Sequence, residues 1–148
     1  MKETILLKYY QIDSIFNNKE CSSLEQANIH DYQFIVGPHF IDFHWYAVII
    51  DMRNHQFYFI APKGTTDDQL QYYFYRWIQY YNKRSDKSIE VWHKIKINHP
   101  IQMDSYNCAI FVINFIYFYV NTRQIDLNAS NMTDWRNSIA DAIKSYCT

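Results

Sequence analysis

A chain of 148 residues that is 49% hydrophobic and 19% aromatic has the length of one domain and too much apolar side chain to stay disordered, so a single domain over 1–148 is expected. Its formal net charge of −1, with both signs interspersed, provides no field for holding a phosphate backbone, which argues against nucleic acid. No apolar run approaches the ~20 residues of a membrane span and no basic-then-apolar leader opens the chain, so a cytoplasmic or nuclear protein with no membrane partner is expected.

Residues 1–31 hold short apolar runs such as Ile5-Leu6-Leu7, broken by Asn17-Asn18-Lys19 and Cys21-Ser22-Ser23, and follow neither a helical nor a strand period. Three segments rich in β-branched and aromatic residues come next, at 32–36, 44–51 and 57–61, and predict three strands. Gly37-Pro38 separates the first two, and the short Arg53-Asn54-His55 gap predicts a hairpin between the second and third. Those two are apolar nearly throughout, as strands covered on both faces are. After Pro62 and Gly64 the period changes: Leu70, Tyr73, Phe74, Trp77, Ile78 and Tyr81 recur at three-and-four spacing behind Thr66, Asp67 and Asp68. This predicts an amphipathic helix over 67–83 with an acidic first turn. The mixed cluster Lys83, Arg84, Asp86, Lys87 reads as a solvated helix end. A further strand is expected at 91–97, ended by Asn98-His99-Pro100. Residues 108–120 are apolar around nearly the whole circumference, which predicts an enclosed helix. A last helix is expected from Thr133, with Trp135, Ile139, Ile143 and Tyr146 on one face.

Cys21, Cys108 and Cys147 are odd in number and far apart, which suits neither a disulfide framework nor a paired-thiol zinc site. None of the six histidines forms a helical His-x-x-x-His pair, so neither a metal nor a cofactor is expected. Cys108 opens the enclosed helix, where free backbone N–H groups and the helix dipole favour a thiolate. A lone cysteine in such a run is ordinarily a small core residue, so its neighbours decide. His44 heads the second strand and is followed by Trp45; a lone histidine there is ordinarily structural, and paired with Cys108 it is a base. Gln102, six residues before Cys108, can donate a side-chain N–H to a developing oxyanion, although alone it reads as an exposed loop residue.

In chain order, His44-Trp45, Gln102, Cys108 and Phe111, with strand, helix and strand between them, resemble the ubiquitin-like proteases of the SUMO-deconjugating type and the related adenoviral maturation proteases. The resemblance is clearest over residues 33–120. It implies an α+β, papain-like or adenain-like cysteine peptidase fold, a small mixed β-sheet packed against a central helix that starts at the nucleophile. It further implies Cys108 as nucleophile, His44 as general base and then acid, Gln102 with the Cys108 N–H as oxyanion hole, and Trp45 as part of a lid over a Gly-Gly tail. The implied partner is a ubiquitin-like or Gly-Gly-containing protein. The chain is short for that family at its N-terminal side, so a partner protein or a second copy is expected to complete the region.

Two positions depart from the pattern. The glycine after the nucleophile is Ala109, which a helix tolerates. The acidic residue expected on the next strand, seventeen residues beyond His44, is Ala61. The following Pro62-Lys63-Gly64 is closer to the acid-Pro-x-Gly of the adenoviral type and leans the ancestry toward viral or mobile-element enzymes. Asp51 lies seven residues along the strand from His44, ~23 Å away at ~3.3 Å per residue, too far to orient its ring. Asp67 and Asp68 read as helix-capping residues. Two functions follow: a thiol peptidase working through a Cys108–His44 dyad near Gly-Gly, or a pseudopeptidase that binds proteins.

Overall fold

The computed structural model describes residues 2–85, 90–103 and 107–124, together with 136, 137, 140, 141 and 144. The expected C-terminal helix, with Thr133, Trp135, Ile139, Ile143 and Tyr146, and also Cys147, lies outside the described residues. In chain order the elements are β1 (Lys2–Leu6), α1 (Tyr9–Phe16), α2 (Ser22–Ala27), a 3-10 turn (Ile29–Asp31), β2 (Tyr32–Ile41), β3 (His44–Asp51), β4 (Gln56–Ile60), α3 (Asp67–Arg84), β5 (His93–Ile95) and α4 (Cys108–Thr122). The class is α+β. Five strands form one mixed sheet in the order β1-β2-β3-β4-β5, with antiparallel pairs at its centre and a parallel strand added at each edge.

Each face of the sheet is covered, which explains the unbroken apolar runs of β3 and β4. On one face Val48, Ile50, Phe57 and Phe59 pack against Ile12, Ile15 and Phe16 of α1 and Leu70, Tyr73 and Trp77 of α3. On the other, Val36, Ala47, Ile49 and Ile60 meet Phe111, Val112, Phe115 and Tyr119 of α4. The helix that begins at Cys108 is thus packed on the sheet, as a papain-like or adenain-like cysteine peptidase fold requires.

Several boundaries differ from expectation for identifiable reasons. Gly37-Pro38 does not end β2 but lies inside it, paired with Val48 and Ala47. A Cβ on residue 37 would stand 2.9 Å from both the Leu7 carbonyl oxygen and Ile12 Cγ1, so the glycine serves close approach of the neighbouring chain. Pro38 is tolerated because β1 ends opposite Val36, leaving this stretch of β2 on an open edge. The reversal comes at Asp42-Phe43, where both residues have positive φ, 50° and 64°. β5 pairs over only three residues. Segment 1–31, which had no readable period, supplies an edge strand and the buried Ile12, Ile15 and Phe16. The α4 circumference is not fully enclosed, since Ile113 and Tyr117 on the side away from the sheet are exposed.

Candidate active site

β3 and β4 are antiparallel, so the start of one lies beside the end of the other. Ala47 pairs with Ile60, which sets Ala61 across from Tyr46, on the face of the strand that His44 also occupies. Direction along α4 follows from its aromatic contacts. The Tyr119 ring lies 6.1 Å from both Phe34 and Tyr58, and Phe34 is paired with Asp51 at the far end of β3. The eleven residues back to Cys108 span ~17 Å of helix, which returns the cysteine to the His44 end of the sheet. Gln102 is tied to the same end, because its backbone N–H donates to the Pro62 carbonyl at 2.8 Å. His44, Ala61, Gln102 and Cys108 therefore share one end of the sheet, each delivered by a different element.

Cys108 is half-buried and His44 exposed, and the two are not hydrogen-bonded to each other among the described residues. Tyr46, two residues beyond His44, is half-buried. Burial raises its hydroxyl above the ordinary value, a hydrogen bond with Gln69 opposes the rise, and the charges of Asp42 and Cys108 add to it. Gln102 is 4% exposed, which removes the reading of an exposed loop residue.

Ala61 is 5% exposed and its surroundings are closed by backbone contacts. Its N–H donates to Thr65 Oγ1 at 3.0 Å, that hydroxyl donates to the Phe59 carbonyl at 3.0 Å, and its own carbonyl accepts from the Gly64 N–H at 2.8 Å. Gly64 takes φ 107°, where a side chain would be strained. No carboxylate comes from Asp51, which stands at the other end of β3 and caps the β3–β4 turn. Asp67 is directed to Lys96 at 2.8 Å, and Thr66, not an aspartate, caps α3 by accepting the Gln69 N–H at 3.1 Å.

Trp45 points to the α4 face and is half-buried. The Tyr9 ring meets it edge-on at 6.2 Å and Phe40 lies 4.6 Å away on the other side. Tyr9 belongs to the segment without readable period, and nothing in the sequence marked it. Asn107, the residue before the cysteine, is buried, and its side-chain oxygen accepts from the Arg136 guanidinium. This contact joins residues 29 apart in sequence, and sequence spacing gave no sign of it. Among the described residues no cluster of His, Cys, Asp and Glu could hold a metal ion.

The family model for the Ulp1 protease family, C-terminal catalytic domain, matches residues 9–148. The chain belongs to the Ulp1 protease family. No curated relative matches it by sequence. Among solved structures it is similar to the SUMO protease Ulp1 with its catalytic cysteine oxidised to a sulfenic acid, at 16% identity and TM-score 0.80, covering 97% of this chain and 69% of that one. It is also similar to the C-terminal Ulp1 protease domain in complex with SMT3, the yeast ortholog of SUMO, at 15% identity and TM-score 0.75, covering 90% of this chain. The chain spans 64% of that domain's length. The Chlamydia trachomatis effector Cdu1 bound to ubiquitin is a more distant match, at 12% identity and TM-score 0.51, covering 93% and 74%.

Proposed function

We propose that the chain is a thiol peptidase acting at a Gly-Gly tail of a ubiquitin-like protein, with Cys108 as nucleophile and His44 as its base. The observation that carries the reading is the convergence of β3's first residue, α4's first residue and the Gln102 loop at one end of the sheet, within a member of the Ulp1 family. In the proposed step, His44 takes the thiol proton, Cys108 Sγ bonds to the carbonyl carbon of the last glycine, and the carbonyl electrons move to oxygen. Gln102 and the Cys108 N–H receive that oxyanion. When the C–N bond breaks, His44 returns the proton to the leaving amine; water then cleaves the thioester, regenerating the thiol and a carboxylate. Trp45 and Tyr9 form the walls that admit glycine and exclude larger side chains.

A second reading, a pseudopeptidase that binds the tail without turning it over, is favoured by Ala61. An apolar residue in a closed backbone pocket stands where the family resemblance calls for an acid. One experiment separates the two. The protein is incubated with ubiquitin and with SMT3, each bearing a C-terminal thiol-reactive electrophile, and its intact mass is measured. A single adduct that disappears in Cys108→Ser and is much slower in His44→Ala is expected. Binding of both proteins with no adduct at Cys108 leaves only the pseudopeptidase.

A further inference from the structure

Five aromatic rings line up across the active-site end of the molecule. Tyr10 meets Tyr9 at 5.9 Å, Tyr9 meets Trp45 at 6.2 Å, Trp45 meets Phe40 at 4.6 Å, and Phe40 meets Phe43 at 6.5 Å. The ladder starts on α1, crosses the ends of β3 and β2, and finishes on the β2–β3 turn. Every member except the half-buried Trp45 is classed among exposed residues, and Phe43 is 90% exposed. Isolated exposed aromatics are ordinary, whereas a connected exposed strip marks a contact surface, because Tyr, Trp and Phe carry much of the energy of protein interfaces.

The outermost ring carries a second observation. Ile41 pairs with His44, so Asp42 and Phe43 are a two-residue turn with φ of 50° and 64°. Turns of that form favour Asn-Gly or Asp-Gly, since a bulky side chain at positive φ is strained. A sequence chosen for folding alone would carry glycine at the second position. It carries instead a phenylalanine that is 90% exposed and meets only the edge of Phe40 among the rings described, so the turn sacrifices stability to hold an apolar ring largely in solvent.

We infer that this ladder docks the folded body of the ubiquitin-like substrate through an aliphatic patch next to its tail, rather than through charge. The inference rests on the proposed tail-binding site, whether or not the tail is cleaved there, because a tail passing Trp45 and Tyr9 brings the domain behind it against the rings on either side. Charge is balanced along the strip: Lys8 lies over Tyr10 at one end and Asp42 stands at the other. The apolar surface also continues beside it, where Lys8 and Pro38 line a groove of about 650 Å³ with Val112, Ile113 and Ile116. Such a surface selects by apolar area and is insensitive to salt.

The test uses Phe43→Gly and Phe43→Ala in the full chain, with three readouts. A fluorogenic peptide ending in Gly-Gly reports chemistry alone, calorimetric titration with ubiquitin and with SMT3 reports docking, and a thermal melt reports the turn. Phe43→Gly is expected to melt higher than the parent yet bind its preferred protein at least about 10-fold more weakly, with peptide cleavage unchanged. Raising salt from 50 to 500 mM is expected to change the parent's affinity by less than about 3-fold. Unchanged protein binding in both variants overturns the docking surface, as does binding of neither protein by the parent, and a strong salt dependence replaces it by a charged one. Failure of peptide cleavage in the parent, with protein binding still lost in the variants, removes the peptidase reading and leaves the surface standing.

Discussion

The β3–β4 pair has a carboxylate position at each end, and the two ends treat it oppositely. At the turn, Asp51 is 4% exposed, yet every part of its charge is answered. One oxygen accepts the N–H groups of Arg53 and Asn54 at 3.0 and 2.9 Å, and the other accepts the Asn54 side-chain amide at 2.9 Å. At the opposite end Ala61 is equally buried and carries no charge, while His44 at that end is exposed and Cys108 half-buried. A carboxylate stabilises this fold where it closes a turn and is missing where the family resemblance would use it to orient a base. The turn end is built for stability, and the proposed chemistry is placed at the end where no buried charge holds the fold.

The largest effect should come from filling the vacant end. In other triads, loss of the acid costs about 10⁴ in turnover, and a cysteine nucleophile depends on it less because its thiolate is intrinsically reactive. On a Gly-Gly substrate, Ala61→Asp is therefore expected to raise kcat/KM by roughly 10 to 10³-fold, and the gain should vanish when combined with His44→Ala. Parallel kinetics of the parent, the two single variants and the double variant check this, with a thermal melt to detect a carboxylate buried without its partner. A folded Ala61→Asp variant with no gain would show that this position is not the vacant acid.

Emptying the other end should give a purely structural loss. Asp51→Ala removes three charge-assisted hydrogen bonds and leaves the turn's N–H groups to find water. We expect a loss of about 3 kcal/mol in urea unfolding, which corresponds to a Tm drop of roughly 6–12 °C for a domain of this size. Cleavage at 20 °C by the fraction that remains folded should be unchanged. If Asp51→Ala instead slowed cleavage without lowering Tm, the two ends would be coupled and their contrast would not hold.

How much of this was legible in the sequence depended on whether a signal was local. β3, β4 and α3 were readable because strand composition or a helical period runs through each, and α3 ends one residue from its expected boundary. His44-Trp45, Gln102 and Cys108 point to the family only as an ordered set, since each alone is ordinary, and the family is what the match over residues 9–148 bears out. What failed was non-local. Gly37-Pro38 looks like a turn, but the glycine answers the approach of Leu7 and Ile12, and the proline uses an edge that exists only because β1 stops early. α1 spans only eight residues, barely two turns, too few to establish a period against the polar residues around it. The Tyr9–Trp45 contact joins segments whose proximity is a product of the folded sheet.

The smallest effect concerns a buried histidine at the His44 end of the sheet. His39 is 2% exposed, neither of its ring nitrogens has a hydrogen-bond partner among the described residues, and it sits 5.1 Å from both the Phe16 and Tyr73 rings, with Tyr46 and Phe59 beyond. Burial lowers it to about 4, with the charge of Asp13 pulling weakly the other way. Above the ordinary histidine value near 6.5 the ring is neutral folded or unfolded, and pH has no leverage through it. Below that value the unfolded chain takes up a proton that the native state refuses until about pH 4, so unfolding becomes easier as pH falls. The slope of 1.36 kcal/mol per unit gives a loss of about 2.5 kcal/mol between pH 7 and 4.5. His30 and His99 are also lowered by burial and act in the same direction, so the contribution of His39 is read as a difference. His39→Leu, which fills the same aromatic cage without a proton site, should lose about 2.5 kcal/mol less than the parent over that pH range in urea unfolding. Equal losses in the two proteins would mean that His39 binds its proton as readily folded as unfolded, and that the His44 end of the sheet is open to water where the Asp51 end is sealed.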